Sequence, residues 1–166
     1  MTNSLAEWFA NNLGTVITPQ LLIFLVSMLP ILELRGGLIV ASLLHVPMWQ
    51  AIPICVLGNI IPIPFVLLFF NAVIGALKKT RLFRRPAEAL EQRALSRSDA
   101  VEKGEFVGLL VFVGIPLPGT GAWTGSMIAA LLHIDRKKAV PAILLGVLMA
   151  CVIMTVVSYG ILGQVF

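Results

Sequence analysis

A carboxylate and a guanidinium, Glu33 and Arg35, stand two residues apart in the stretch LPILELRGG, residues 29–37, within a long apolar run. An ionised side chain at the centre of a bilayer costs about 2.5–3.5 kcal/mol on insertion scales, so such residues imply a use. Arginine holds its proton under all ordinary conditions and needs an anion nearby. A glutamate can gain or lose one as burial and neighbouring charge shift the balance. Three chemistries fit the pair. The two groups could neutralise each other or cap broken helix ends, as structural ion pairs do. Arg35, with the free amides of a helix starting at Gly36 and Gly37, could grip an anionic substrate group. Glu33 could carry a proton and exchange it for a lipophilic cation. On a regular helix, residues two apart point to different faces. An irregular tip before Gly36-Gly37 would let them converge.

The elements around the pair are those of a membrane protein. The chain has 166 residues, 58% of them apolar and 12% charged, with mean hydropathy +0.98. A soluble domain carries about a quarter charged residues. Four stretches, 19–46, 51–77, 106–134 and 139–166, exceed the roughly 20 apolar residues of a span. Glu33 and Arg35 are the charged residues within them. Residues 1–18 lack the basic start of a signal peptide. They place Leu5, Trp8, Phe9, Leu13, Val16 and Ile17 on one helical face, which predicts an interfacial helix. Cys55 and Cys151 lie far apart without metal or redox spacing and read as buried small residues.

The chain also matches itself. Shifted by 88 positions, residues 29–60 lie over 117–148 with 11 of 32 identical, among them Pro30/Pro118, Gly37/Gly125, His45/His133, Pro53/Pro141 and Gly58/Gly146. Matched Pro, Gly and His together indicate an internal duplication, a pattern associated with transporters. Each copy holds a segment broken by Pro and Gly, then an unbroken one. Exposed backbone cannot face lipid, so the breaks belong inside protein or beside a wet cavity.

Eleven of the twelve Lys and Arg fall in residues 78–103 and 136–138. Basic segments favour the cytoplasmic side. Both clusters share that side if residues 106–134 enter and return as a re-entrant hairpin. The expected architecture is therefore all-α: an inverted repeat of two units, each a re-entrant hairpin (20–45 and 106–134) followed by one transmembrane helix (51–77 and 139–164), with a basic cytoplasmic connection, 78–105. Four ordinary spans are the competing topology. The connection itself reads as a solvated helix that could also touch anionic headgroups.

Further residues complete the candidate site. The second hairpin offers an uncharged tip at Pro118, Gly119, Thr120, Gly121, Thr124 and Gly125, with Trp123 at the position of Arg35. Trp123 could present a π face to a cation or fill the tip. Asn59 could reach a tip or make a helix-packing hydrogen bond. His45 and His133 sit at hairpin exits, where lone histidines are usually structural, and Trp49 suits an interfacial anchor. No HExxH, GxSxG or carboxylate pair is present, so no enzyme, metal or cofactor is expected.

The PxxELRGG and GxPLPGTGAWTG stretches, with the proline-broken hairpins, resemble the small multi-drug export protein family across the chain from Gln20. That family in turn looks like a relative of DedA-type membrane proteins. The first resemblance implies drug efflux; the second implies movement of lipid phosphates with proton coupling, with Glu33 and Arg35 at the membrane-embedded acidic and basic positions. DedA-type proteins carry arginines in the second hairpin, whereas residues 106–134 here are uncharged. The expectation is a proton-coupled transporter of the plasma membrane that moves an amphipathic substrate past the two tips. It would be a homodimer packed through small residues such as Gly58, Gly75, Gly146 and Gly163. A non-transport assembly protein is the other class to separate from it.

Overall fold

The computed structural model describes residues 18–96, 101 and 104–162. The interfacial helix expected over residues 1–18 lies outside these except for Thr18, and so does Gly163. Among the described residues the chain is helical without strands: α1 Pro19–Met28, α2 Glu33–Leu43, α3 Met48–Ile60, α4 Pro62–Lys78, α5 Arg84–Leu95, α6 Glu105–Gly114, α7 Ala122–Leu131, α8 Arg136–Thr155 and a π-helical end, Val156–Leu162.

Local chemistry accounts for the ends. Thr18 accepts the Leu21 N–H at 3.2 Å and Pro19 opens α1, where its missing donor is no loss. Leu29 leaves the helix with ψ 135° because the residue before a proline is pushed out of the helical region. Pro62 and Pro64 supply no N–H to the carbonyls four residues back, and α3 gives way to α4 at Ile61.

Despite that step, Met48–Lys78 is 31 residues of apolar helix, and Arg136–Gly160 is 25. A helix rises 1.5 Å per residue, so about 20 residues cross a hydrocarbon core of about 30 Å. Both long helices suffice. α1, α6 and α7 have 10 residues each and α2 has 11. At about 15 Å they reach halfway.

The chain forms two compact units, one of residues up to Asn59 and from Ala150 onward, the other of Ile60–Met149. Each contains a pair of short helices, the start of the long helix that follows them, and the end of the other long helix. In the first unit α2 lies so close to α1 that a Cβ added at Gly37 would meet Ser27 Oγ at 1.9 Å and the Ile23 carbonyl oxygen at 3.2 Å. A Cβ at Gly58 would meet the Phe24 carbonyl oxygen at 2.6 Å, which brings α3 against the same pair. Ile23, Leu34, Leu38, Ala41 and Cys55 fill the space, with Met154 from the second long helix. Gln20 Nε2 donates to Gln50 Oε1 at 3.3 Å, tying the start of α1 to the start of α3.

The second unit repeats these devices. Gly125 lies under Val113, which a Cβ would meet at 2.6 Å, and a Cβ at Gly146 would meet the Leu110 carbonyl oxygen at 2.9 Å. Lys138 Nζ donates to Glu105 Oε2 at 2.8 Å, joining the starts of α8 and α6. α4 and α5 add Val66, Phe70, Ile74 and Ala87, with Trp123 and Met127 packed on them. Gly58 and Gly146, expected to admit a second chain, are thus occupied by close packing within each unit. Gly75 has nothing within 4 Å of its would-be Cβ.

Candidate functional site

The tip of the first pair is irregular at one residue. Glu33 has φ 51°, the left-handed region, which costs a residue with a Cβ roughly 1–2 kcal/mol. Its N–H donates to the Leu29 carbonyl at 2.9 Å, and only 4% of the residue is exposed. This twist takes residues 33 and 35 off the regular helical spacing. Arg35, half-buried, interacts electrostatically with the Glu33 carboxylate. Gly36 sits over Leu32, whose Cβ would lie 2.7 Å from an added methyl, so its missing side chain keeps the tip narrow.

Among the described residues the buried polar ones are Ser27, Glu33, Asn59, Ser126 and Ser158. All but Ser126 belong to the first unit. At the corresponding places in the second unit stand Val113, Gly121, Val147 and Phe70. Ser27 satisfies its hydroxyl on the Ile23 carbonyl at 2.7 Å. Asn59 Oδ1 and Ser158 Oγ are buried without a hydrogen-bond partner among the described residues, at about 1–3 kcal/mol each. The Ser158 carbonyl accepts from Ser42 Oγ at 2.7 Å, and Tyr159 donates its hydroxyl to the Val46 carbonyl at 2.8 Å. Among the described residues, one unit therefore holds four of the five buried polar side chains.

The second tip has a different build. Pro118 and Gly119 are exposed. Gly119 and Gly121 have φ 80° and 125°, conformations glycine adopts without a Cβ penalty. Thr120 Oγ1 lies 2.9 Å from both the Ile115 and Leu117 carbonyls, so its hydroxyl braces the turn. Trp123 packs with Val66, Phe70 and Ile74; its bulk fills the unit. Thr124 is half-buried. Gly37 and Gly125 are close-packing positions. A nearly apolar groove of about 450 Å³ runs along α6 beside Val107, Gly108, Val111, Phe112, Leu117 and Thr120.

Of the predicted residues, Glu33, Arg35, Gly36, Gly37 and Asn59 fall in the first unit, and Pro118, Gly119, Thr120, Gly121, Trp123, Thr124 and Gly125 in the second. Sequence reasoning passed over Ser27, Ser158 and the contacts at the feet of the pairs. The feet carried a signal: Gln50 and Lys138 are 88 apart, the offset of the duplication. Cys55 and Cys151 are buried and free.

Two long apolar helices, short helix pairs of half a bilayer's length and a buried glutamate beside a half-buried arginine define a small helical membrane protein. The chain belongs to the family described as "Putative small multi-drug export protein", whose model matches residues 33–153. The matched region opens at Glu33 and takes in both tips. No curated protein and no solved structure matches the chain.

Proposed function

We propose that the protein is a proton-coupled exporter of amphipathic molecules, with its working groups at the Glu33–Arg35 tip. The family's name supports export. The observation that carries the mechanism is that four of the five buried polar side chains among the described residues lie in one unit, headed by a buried glutamate in a strained conformation beside an arginine. Glycine would take the left-handed backbone of residue 33, φ 51°, without strain, so a carboxylate kept there supports a role beyond shape. In this reading Arg35 attracts an anionic group, a lipid phosphate or an acidic drug, while Glu33 gives up or takes a proton as the substrate moves. Protonation of Glu33 weakens its hold on Arg35, which frees the guanidinium for substrate. Loss of the proton restores the pair and releases it.

In this reading each short helix pair is re-entrant, entering the plasma membrane and returning on one side, and the two repeats are inverted copies. A second chain, approaching at the open Gly75, would widen the path. Flux of a fluorescent amphipathic anion into proteoliposomes under an imposed pH gradient tests the reading. Glu33→Gln is expected to abolish gradient-driven flux and leave binding, whereas Arg35→Ala loses binding. Wild-type gradient-driven flux in Glu33→Gln sinks the proton role.

A further inference from the structure

The first long helix ends at Lys78, and the chain turns through Lys79–Phe83 into α5. Five of the eight residues in KKTRLFRR, 78–85, are basic. α5 is docked by its small residues: Ala87 and Ala94 are buried, with Ala87 in the cluster of Val66, Phe70 and Ile74. Lys78 pairs with Glu91, and Arg84 pairs with Glu88 at 2.8 Å. Those two pairs use the carboxylates of α5. Lys79, Arg81, Arg85 and Arg93 remain exposed, and none has an ion pair among the described residues. Between them Leu82 is 77% exposed and Phe83 48%. A solvated linker gains nothing from a leucine and a phenylalanine held in water, since each would rather shed that surface. A polar partner surface would leave them wet as well.

We infer that Lys79, Arg81, Arg85 and Arg93, with Leu82 and Phe83 between them, form a docking surface for anionic phospholipid headgroups. The position is suited to it: the segment follows directly on a helix long enough to cross the bilayer, at the depth where headgroups begin. The four cations meet phosphates while Leu82 and Phe83 enter the acyl boundary, the two contributions that together hold a segment at a membrane surface. Because α5 packs on α4 and α7, a lipid-held α5 fixes the end of the unit that contains the second tip. The surface is separate from the Glu33–Arg35 site and does not depend on what is transported.

The test uses the full-length protein in nanodiscs with an environment-sensitive fluorophore on Leu82→Cys; the native Cys55 and Cys151 are buried, and unsubstituted protein sets the background. In phosphatidylglycerol-containing discs the emission is expected to shift to the blue and to be quenched by brominated acyl chains. In pure phosphatidylcholine the shift is expected to be smaller, and high salt should reverse it in anionic discs. Replacing the four cations one at a time by Gln should weaken the preference for anionic lipid by about fivefold per residue. Emission that ignores lipid charge, salt and the substitutions overturns the inference, as does a shift produced only by an added acidic protein. Thermal unfolding of each variant in detergent separates these outcomes from misfolding, since exposed cations are not expected to alter it.

Discussion

Lys138 and Glu105 meet at 2.8 Å, and that contact joins the two ends of the chain segment that runs through α6, the second tip and α7. Gln20 and Gln50 do the same for α1 and α2 at 3.3 Å. An exposed ion pair is worth little in stability, so the information is geometric: each segment begins and ends at one place. Two helices of about 15 Å laid side by side cannot place their ends on opposite faces of a bilayer. Single cysteines in place of Lys79 and Lys137 are therefore expected to react with an impermeant maleimide from the same side of sealed membranes. Reaction from opposite sides would mean that residues 106–134 cross.

Gly37 is held by packing, and that makes a prediction independent of transport. An alanine there meets Ser27 Oγ at 1.9 Å and Cys55 Sγ at 2.9 Å. Overpacking of this kind costs about 1–3 kcal/mol. Gly37→Ala should lower the thermal stability of the purified protein by that amount, and Ser27→Ala added to it should recover part of the loss by removing the nearer atom. Additive losses in the double variant would show that the two residues are not in contact.

What could be read from the residues and what could not divides along sequence distance. Pro30 announces the end of α1, and the repeated Pro, Gly and His announce the duplication, because each acts on its own backbone. The condition on Glu33 and Arg35 is local too: their convergence needs an irregular tip, and φ 51° at Glu33 supplies one. Hidden were the partners across the fold. Tyr159 reaches Val46, 113 residues away, and Asn71 reaches the Ala130 carbonyl, 59 away. No periodicity encodes such pairings. The gap-free shift of 88 also conceals a length change, since α6 starts 86 residues after α1 and the histidines lie 88 apart, which makes the second tip two residues longer. The extra residues fall among glycines and prolines, where alignment by identity has least to hold.

The two histidines give the last prediction. His45 and His133 have φ 54° and 53°, each one residue past the cap of a short helix. His45 N–H donates to the Ser42 carbonyl at 3.1 Å and Val46 N–H to Ala41 at 2.9 Å; His133 and Ile134 repeat the pattern on Ala130 and Ala129 at 3.3 and 3.0 Å. Paired bonds of this spacing close a helix in the Schellman manner, with the left-handed residue usually glycine or asparagine. Histidine is among the few other side chains enriched there, which accounts for its recurrence without assigning it chemistry. His45→Asn and His133→Asn are expected to keep stability within about 1 kcal/mol of the parent and to leave flux unchanged. A β-branched valine at either place should cost more than that, because its χ1 and the left-handed backbone conflict. Unfolding temperature and proteoliposome flux, measured on the same samples, decide the matter: flux lost in His45→Asn at unaltered stability would move the residue from the fold into the transport site.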